Sequence, residues 1–156
     1  MSKKVLIAMD DSDNAMRAVQ FTAALIEKDS EITLFSVLQD YKSICEYNSP
    51  SLTPTFQRER AAFCAIEDEK KVLLEAAAKV AMRYLQSAGF PEEKVKIQVQ
   101  PLEKGTARDI IKKADSGFDV VVIGKRGISS AADFFFGSVS QKVLNGVKSA
   151  SALVVT

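Results

Sequence analysis

Val5-Leu6-Ile7-Ala8-Met9, closed at once by Asp10-Asp11-Ser12-Asp13, points to an α/β architecture. Five apolar residues without alternation suit a strand buried on both faces, and the acidic and hydroxyl residues behind it suit a polar loop. Ala15, Val19, Ala23 and Ile26 then recur near helical spacing, with Ser12 or Asp13 placed to accept the first free backbone N–H groups. A helix to about Lys28 is expected. Ile32 to Leu38 is again mostly apolar and β-favouring, so strand, helix and strand follow one another within forty residues.

The rest of the chain continues the alternation. Gln39 to about Gln57 holds two prolines and two tyrosines without a period and reads as a long loop. From Arg58 to Ser87 no proline or glycine intervenes, and Ile66, Leu73, Ala77, Val80, Ala81 and Tyr84 predict the apolar stripe of a long helix stopped by Gly89 and Pro91. Val95, Ile97 and Val99 alternate with Lys94, Lys96, Gln98 and Gln100, the pattern of an edge strand with one wet face. Thr106 with Asp109 makes a capping-box variant ahead of Ile110, Ile111 and Ala114, and Gly117 ends that short helix. Asp119 to Ile123 is a fourth strand, Gly124 to Gly137 a loop, and Ser138 the cap of a helix carrying Val139, Val143, Leu144 and Val147. Ala152-Leu153-Val154-Val155 closes the chain as a fifth strand. The order βαβαβαβαβ predicts a single domain over residues 1–156. It is a five-stranded parallel sheet with helices on both faces, its ligands gathered beyond the carboxyl ends of strands one and four.

Composition removes whole classes of chemistry. The 156 residues contain no histidine, which excludes a Ser-His-Asp triad, a Cys-His pair, His-ligated zinc and a histidine pH switch. Twenty-one Lys plus Arg against 20 Asp plus Glu leave a formal charge of +1, so nothing draws the chain as a whole to nucleic acid or an acidic membrane. Cys45 and Cys64 lack CxxC spacing and are read as reduced thiols without a role. The apolar run behind Met1-Ser2-Lys3-Lys4 is too short for a signal peptide or a membrane span, so the cytoplasm is the expected compartment.

The densest chemical signal is Gly124-Lys125-Arg126-Gly127, nine further residues, then Gly137-Ser138-Val139-Ser140, set between a buried strand and a helix start. Glycines let backbone N–H groups approach a polyphosphate unobstructed, and Ser138 adds a hydroxyl beside unpaired donors at the positive end of a helix dipole. Lys125 and Arg126 add attraction that salt screens. The plainer alternative is that the three glycines only permit turns and Ser138 only caps a helix. Asp10 and Asp11 at a strand end suit Mg²⁺ shared with phosphates, whereas Asp11 and Asp13 also suit solvated charges at a helix start; Asp10 alone is taken as a site residue. No two glycines are separated by a single residue and no Gly-Lys precedes Ser or Thr, which excludes the dinucleotide fingerprint and the P-loop. Phe134-Phe135-Phe136 is either buried beneath the loop or a partner surface.

The spacing Gly-two-Gly-nine-Gly-Ser resembles the ATP-binding signature of the universal stress protein family. The resemblance extends to the strand ending in Asp10, the long helix, the Phe118-Asp119-Val120-Val121-Val122-Ile123 approach and the final apolar strand. It implies an adenine nucleotide alpha-hydrolase-like (Rossmann-like) fold and a homodimer formed through the last strand. It further implies ATP, with Mg²⁺, as a regulatory ligand in a stress response, with slow hydrolysis at most and no dedicated reaction. Carried over by position, Ala8, Met9 and Asp10 lie near the nucleotide and Val37 near the adenine. Gly124, Arg126, Gly127, Gly137, Ser138 and Val139 surround ribose and phosphates. No catalytic residue and no protein metal ligand is assigned. Ala152 stands where many members have a proline before the last strand. The alternative is a nucleotide-independent homodimeric interaction protein of the same fold, working through the final strand and Phe134 to Phe136.

Overall fold

Lys4–Ala8 forms strand β1 in the computed structural model, which describes residues 2–39, 41–47, 49–125 and 137–156. There follow α1 (Asp13–Leu25), β2 (Glu31–Leu38), α2 (Lys42–Glu46), α3 (Pro54–Ser87), a 3₁₀ turn (Glu92–Lys94), β3 (Val95–Pro101), α4 (Thr106–Ala114), β4 (Val120–Gly124), α5 (Ser138–Gly146) and β5 (Ser151–Val155). The five strands lie in the order β3-β2-β1-β4-β5 and every neighbouring pair is parallel. As expected, β3 is an edge.

The alternation of side chains across β1 builds the two halves of the core. Val5, Ile7 and Met9 pack on one side with Ala18 and Val19 of α1 and Ala81 and Leu85 of α3. Leu6 and Ala8 pack on the other with Ile110 and Ala114 of α4 and Val143 of α5. A central strand buried on both faces carries no polar alternation, which is why its run is unbroken. Alanines at the helix contact points let the helix axes approach the sheet closely.

The chain turns back at β1. β2 and β3 extend the sheet on one side, and β4 and β5 on the other, so a crevice opens at the carboxyl ends of β1 and β4, where open parallel sheets bind ligands. Asp115, just past α4, fixes the approach to β5. Its carboxylate accepts hydrogen bonds from the backbone N–H of Ser149 at 2.8 Å, Lys148 at 3.0 Å and Ala150 at 3.4 Å. The bond from Ser149, reinforced by those from Lys148 and Ala150, holds this carboxyl below its ordinary pKa against a smaller opposing effect of burial. The folded state therefore favours the ionised form. Its contribution is complete above the unfolded pKa of about 3.9 and disappears as pH falls through the lowered folded value. In acid titrations followed by circular dichroism, Asp115→Asn is expected to lose less stability than the parent chain in that acid range; parallel curves would contradict this.

Five expectations change. First, α1 stops at Leu25, with Ile26 already extended as the C-cap, three residues before Lys28. Second, residues 39–57 are not all loop. Lys42–Glu46 is helical, and α3 begins at Pro54 because Thr53 Oγ1 accepts from Phe56 N at 3.3 Å and a proline fits the first helical position. Third, Thr106 does not cap α4. Gly105 is the N-cap without a side-chain bond, while the buried Asp109 carboxylate reaches back to the N–H groups of Glu103 and Lys104 at 2.8 and 3.1 Å.

Fourth, Cys45 and Cys64 are not free thiols. They form a disulfide with their Cα atoms 5.9 Å apart, tying α2 to α3. The missing CxxC motif excluded a zinc knuckle or local dithiol but said nothing about two helices folding against each other. The stripe on α3 is also displaced. Ala78, Ala81 and Leu85 are the buried residues, whereas Ile66, Leu73, Val80 and Tyr84 from the expected stripe are exposed.

Candidate functional site

A cavity of about 360 Å³ sits at the carboxyl ends of β1 and β4. Ala8, Met9 and Asp10 line it from the end of β1 and Ile123 and Gly124 from the end of β4. Gly137, Ser138, Val139 and Ser140 close it from the start of α5. Seven of the ten residues expected at a site thus meet around one space, from segments more than one hundred residues apart.

Three do not join that set. Arg126 and Gly127 lie outside the described residues, as do Phe134, Phe135 and Phe136. Val37 packs partly buried against the core formed with Phe35 and Ile110, and Gln39, two residues further along the same side of the strand direction, lines the cavity instead.

The end of β1 turns into α1 through a relay. Asp10 Oδ1 accepts from the N–H of Ser12 at 2.9 Å and from the Ser12 hydroxyl, and Ser12 Oγ in turn accepts from Ala15 N at 3.2 Å. Ser12 therefore caps α1 while Asp10 orients it, and the carboxylate is held at the cavity wall by its own loop. Asp11 and Asp13 stay exposed, in keeping with solvated charges at a helix start.

On the opposite side, the β4–α5 connection is closed at its base. The Lys125 carbonyl accepts from Gly137 N at 2.9 Å and from Ser140 Oγ at 2.6 Å, so both ends of the intervening segment are pinned together. Ser140 is buried because of this bridge. Gly137, not the expected Ser138, is the N-cap of α5; Ser138 is its first helical residue, and among the described residues no side chain caps this helix. The first-turn N–H groups of an α-helix have no partner within it, so those at Ser138 and Val139 are left to the cavity together with the positive end of the helix dipole. Gly105, at the start of α4, likewise lacks a side-chain cap, and Thr106 lines the same cavity. Two helix N-termini therefore converge on one space, an arrangement suited to an anion.

Gly124 has a second reason to be glycine. A Cβ at this position would lie 2.7 Å from the Asn14 carbonyl oxygen and 2.8 Å from its carbon, so the absent side chain lets the first turn of α1 cross the end of β4. That contact brings Ser12 and Ala15 to the cavity.

Sequence reasoning missed four polar lining residues, Ser12, Gln39, Thr106 and Ser140, and the apolar Ala15, Ile110 and Ile123. Ser140 stood inside the quoted motif, and Thr106 stood at an expected helix start on the same edge of the sheet. Gln39 carried no signal except its position just past a strand. Among the described residues no group of three His, Cys, Asp or Glu side chains is arranged to hold a metal ion, and no helix is long and apolar enough to cross a membrane.

Comparison with known proteins agrees with this architecture. Over 160 residues the chain is 32% identical to the universal stress protein Sll1388 of Synechocystis, covering 97% of this chain and 96% of that one. The fold superposes on the universal stress protein UspA from Lactobacillus plantarum with a TM-score of 0.74 at 17% identity, covering 99% of this chain and 97% of that one. The universal stress protein from Archaeoglobus fulgidus in complex with dAMP superposes with a TM-score of 0.59 at 17% identity, covering 100% and 98%. A universal stress protein in complex with cAMP does so with a TM-score of 0.61 at 18% identity, covering 99% and 96%. At these identities the structures speak for the fold alone. The profile of the universal stress protein family, by contrast, matches residues 1–155, and with the βαβ order and the glycine spacing it establishes that this chain belongs to the universal stress protein family.

Proposed function

We propose that this chain binds ATP, accompanied by Mg²⁺, as a regulatory ligand, with hydrolysis slow at most. The observation that carries the reading is the cavity joining the ends of β1 and β4 to the uncapped N-terminus of α5. Two of the structural neighbours hold adenine nucleotides, dAMP and cAMP, which supports the class of ligand.

In this reading Ala8, Met9 and Asp10 lie near the nucleotide, and Val37, two residues before the cavity-lining Gln39, is the residue nearest the adenine. Gly124, Arg126, Gly127, Gly137, Ser138 and Val139 take ribose and phosphates. Charge on the phosphates is met by backbone N–H groups and a helix dipole, which need no reorganisation on binding. Mg²⁺ arrives with the triphosphate, because among the described residues Asp10 is the one carboxylate at the cavity wall and a Mg²⁺ ion keeps most of its ligands as phosphate and water oxygens. ATP binding favours one conformation of the β4–α5 connection that a partner recognises. The copies pair through β5, which has no strand on its outer edge among the described residues, and the compartment is the cytoplasm.

Denaturing freshly purified protein and separating the supernatant by chromatography is expected to release an adenine nucleotide. No nucleotide, together with no thermal shift on adding ATP and Mg²⁺, would reject the reading in favour of an interaction protein that works without nucleotide.

A further inference from the structure

We propose that the first two-thirds of α3 is a self-association arm, pairing antiparallel with the same segment of a second copy about a two-fold axis between Cys64 and Ala65. At about 1.5 Å per residue this 34-residue helix is about 50 Å long, roughly twice the length of the longest strand it packs on. Its buried residues, Ala78, Ala81 and Leu85, all fall in the last third. Along another face Phe56, Phe63, Ile66, Leu73, Val80 and Tyr84 are each between 36% and 53% exposed.

Those six positions share one period. With 56, 63, 70, 77 and 84 as one series and 59, 66, 73 and 80 as the other, the spacing alternates three and four over four heptads, the seam of a left-handed coiled coil. Such a seam fits another helix rather than a sheet or a small molecule. Half-exposed side chains of this size offer roughly 100 Å² each, so the four within the paired segment, Phe56, Phe63, Ile66 and Leu73, supply about 400 Å² per copy, about half of what each partner contributes to an ordinary stable interface, which suits a weak, concentration-dependent pair. The ring of Tyr41 stands edge-on to Phe63 with centroids 5.0 Å apart, bracing the residue nearest the proposed axis.

Charge identifies the occupant and its direction. Glu59 and Lys70 are the two charged interruptions of the seam, and they have opposite signs. In a parallel pair each would face its own copy, like charge against like. In the antiparallel pair Glu59 faces Lys70 of the second copy, Phe63 faces Ile66 and Phe56 faces Leu73, each match occurring twice by symmetry. The paired segments precede the part of α3 that packs on the sheet, so the two domains sit at opposite ends of the arm. This surface is separate from the edge of β5 and from the nucleotide cavity.

Sedimentation of the full chain beside Glu59→Lys, Lys70→Glu and the double exchange tests this. Both residues have exposed side chains, Lys70 also holding Glu67 of its own chain at 2.8 Å, and circular dichroism will register any loss of fold. Each single variant is expected to weaken association at least about tenfold through facing like charges, and the double exchange to restore it. In a mixture of isotopically light and heavy chains, a zero-length carbodiimide cross-link is expected between Glu59 of one copy and Lys70 of the other. Within one chain these residues are eleven apart on a straight helix, roughly 16 Å, too far for that reagent. Equal masses for all four proteins would overturn the proposal and leave the seam to another protein, whether or not the copies join through β5. A double exchange that fails to restore association, or no cross-link between unlike-labelled chains, would overturn it as well.

Discussion

Gly124→Val is expected to lower the stability of the whole domain by about 3 kcal/mol, the upper end of the ordinary range for overpacking. The atoms a new side chain would meet are the carbonyl oxygen and carbon of Asn14, at 2.7 and 2.8 Å. They belong to the backbone and cannot rotate aside, so either the first turn of α1 or the end of β4 must move. Valine adds branching beside the Cβ and worsens the clash. For a chain of this length the melting midpoint should fall by about 6 to 12 °C in a circular dichroism scan. ATP binding should weaken with it, because the cavity is framed by Gly124 and by Ser12 and Ala15 of the displaced turn. Gly146→Ala is the control. A Cβ there meets the Ile111 Cδ1 methyl at 2.5 Å, the far end of a flexible side chain, and gains helix propensity. Its midpoint should stay within a few degrees of the parent, and equal losses for the two variants would contradict the assignment of Gly124 as a backbone crossing point.

Reducing the Cys45–Cys64 bond should produce a loss of similar size. The two residues are 19 apart in sequence, and closing such a loop removes about 3 kcal/mol of freedom from the unfolded chain. The melting midpoint with dithiothreitol is therefore expected to fall by about 6 to 12 °C. Cys64→Ser should melt at the reduced value and show no further response to reductant. Identical midpoints with and without dithiothreitol would mean that the disulfide does not constrain the chain. Cys45 and Cys64 line a second cavity with Leu38, Gln39 and Tyr41, and Gln39 also borders the cavity proposed for the nucleotide. The cross-link thus anchors the segment that leaves β2 next to the site.

The sheet was legible because its central strands are buried on both faces. Val5 to Met9, Ile32 to Leu38 and Asp119 to Ile123 appear as apolar runs, and the wet face of Val95 to Gln100 marked an edge. The site was legible where backbone chemistry dictates residue type, as at Gly137 and Ser138. It was not legible at Gln39, Thr106 or Ser140, whose side chains reach the cavity through tertiary placement and follow no local rule. The α3 stripe failed for a physical reason. This helix has two apolar faces, one of alanines and Leu85 against the sheet and one of larger residues at heptad spacing, and a sequence read for size favours the second. The disulfide failed because Thr53 and Pro54, which look like loop residues, start the helix that brings Cys64 to Cys45.

Calorimetric titration of ATP and Mg²⁺ into nucleotide-stripped protein, run beside Gly137→Val, tests the central claim most directly. Gly137 lines the cavity at the uncapped start of α5, where a valine side chain would obstruct the approach of phosphate to the helix N–H groups. Saturable binding at one nucleotide per chain, with the heat abolished in a variant that retains its circular dichroism spectrum, is the predicted result. Equal affinity in the two proteins, or no heat in either, would contradict the account.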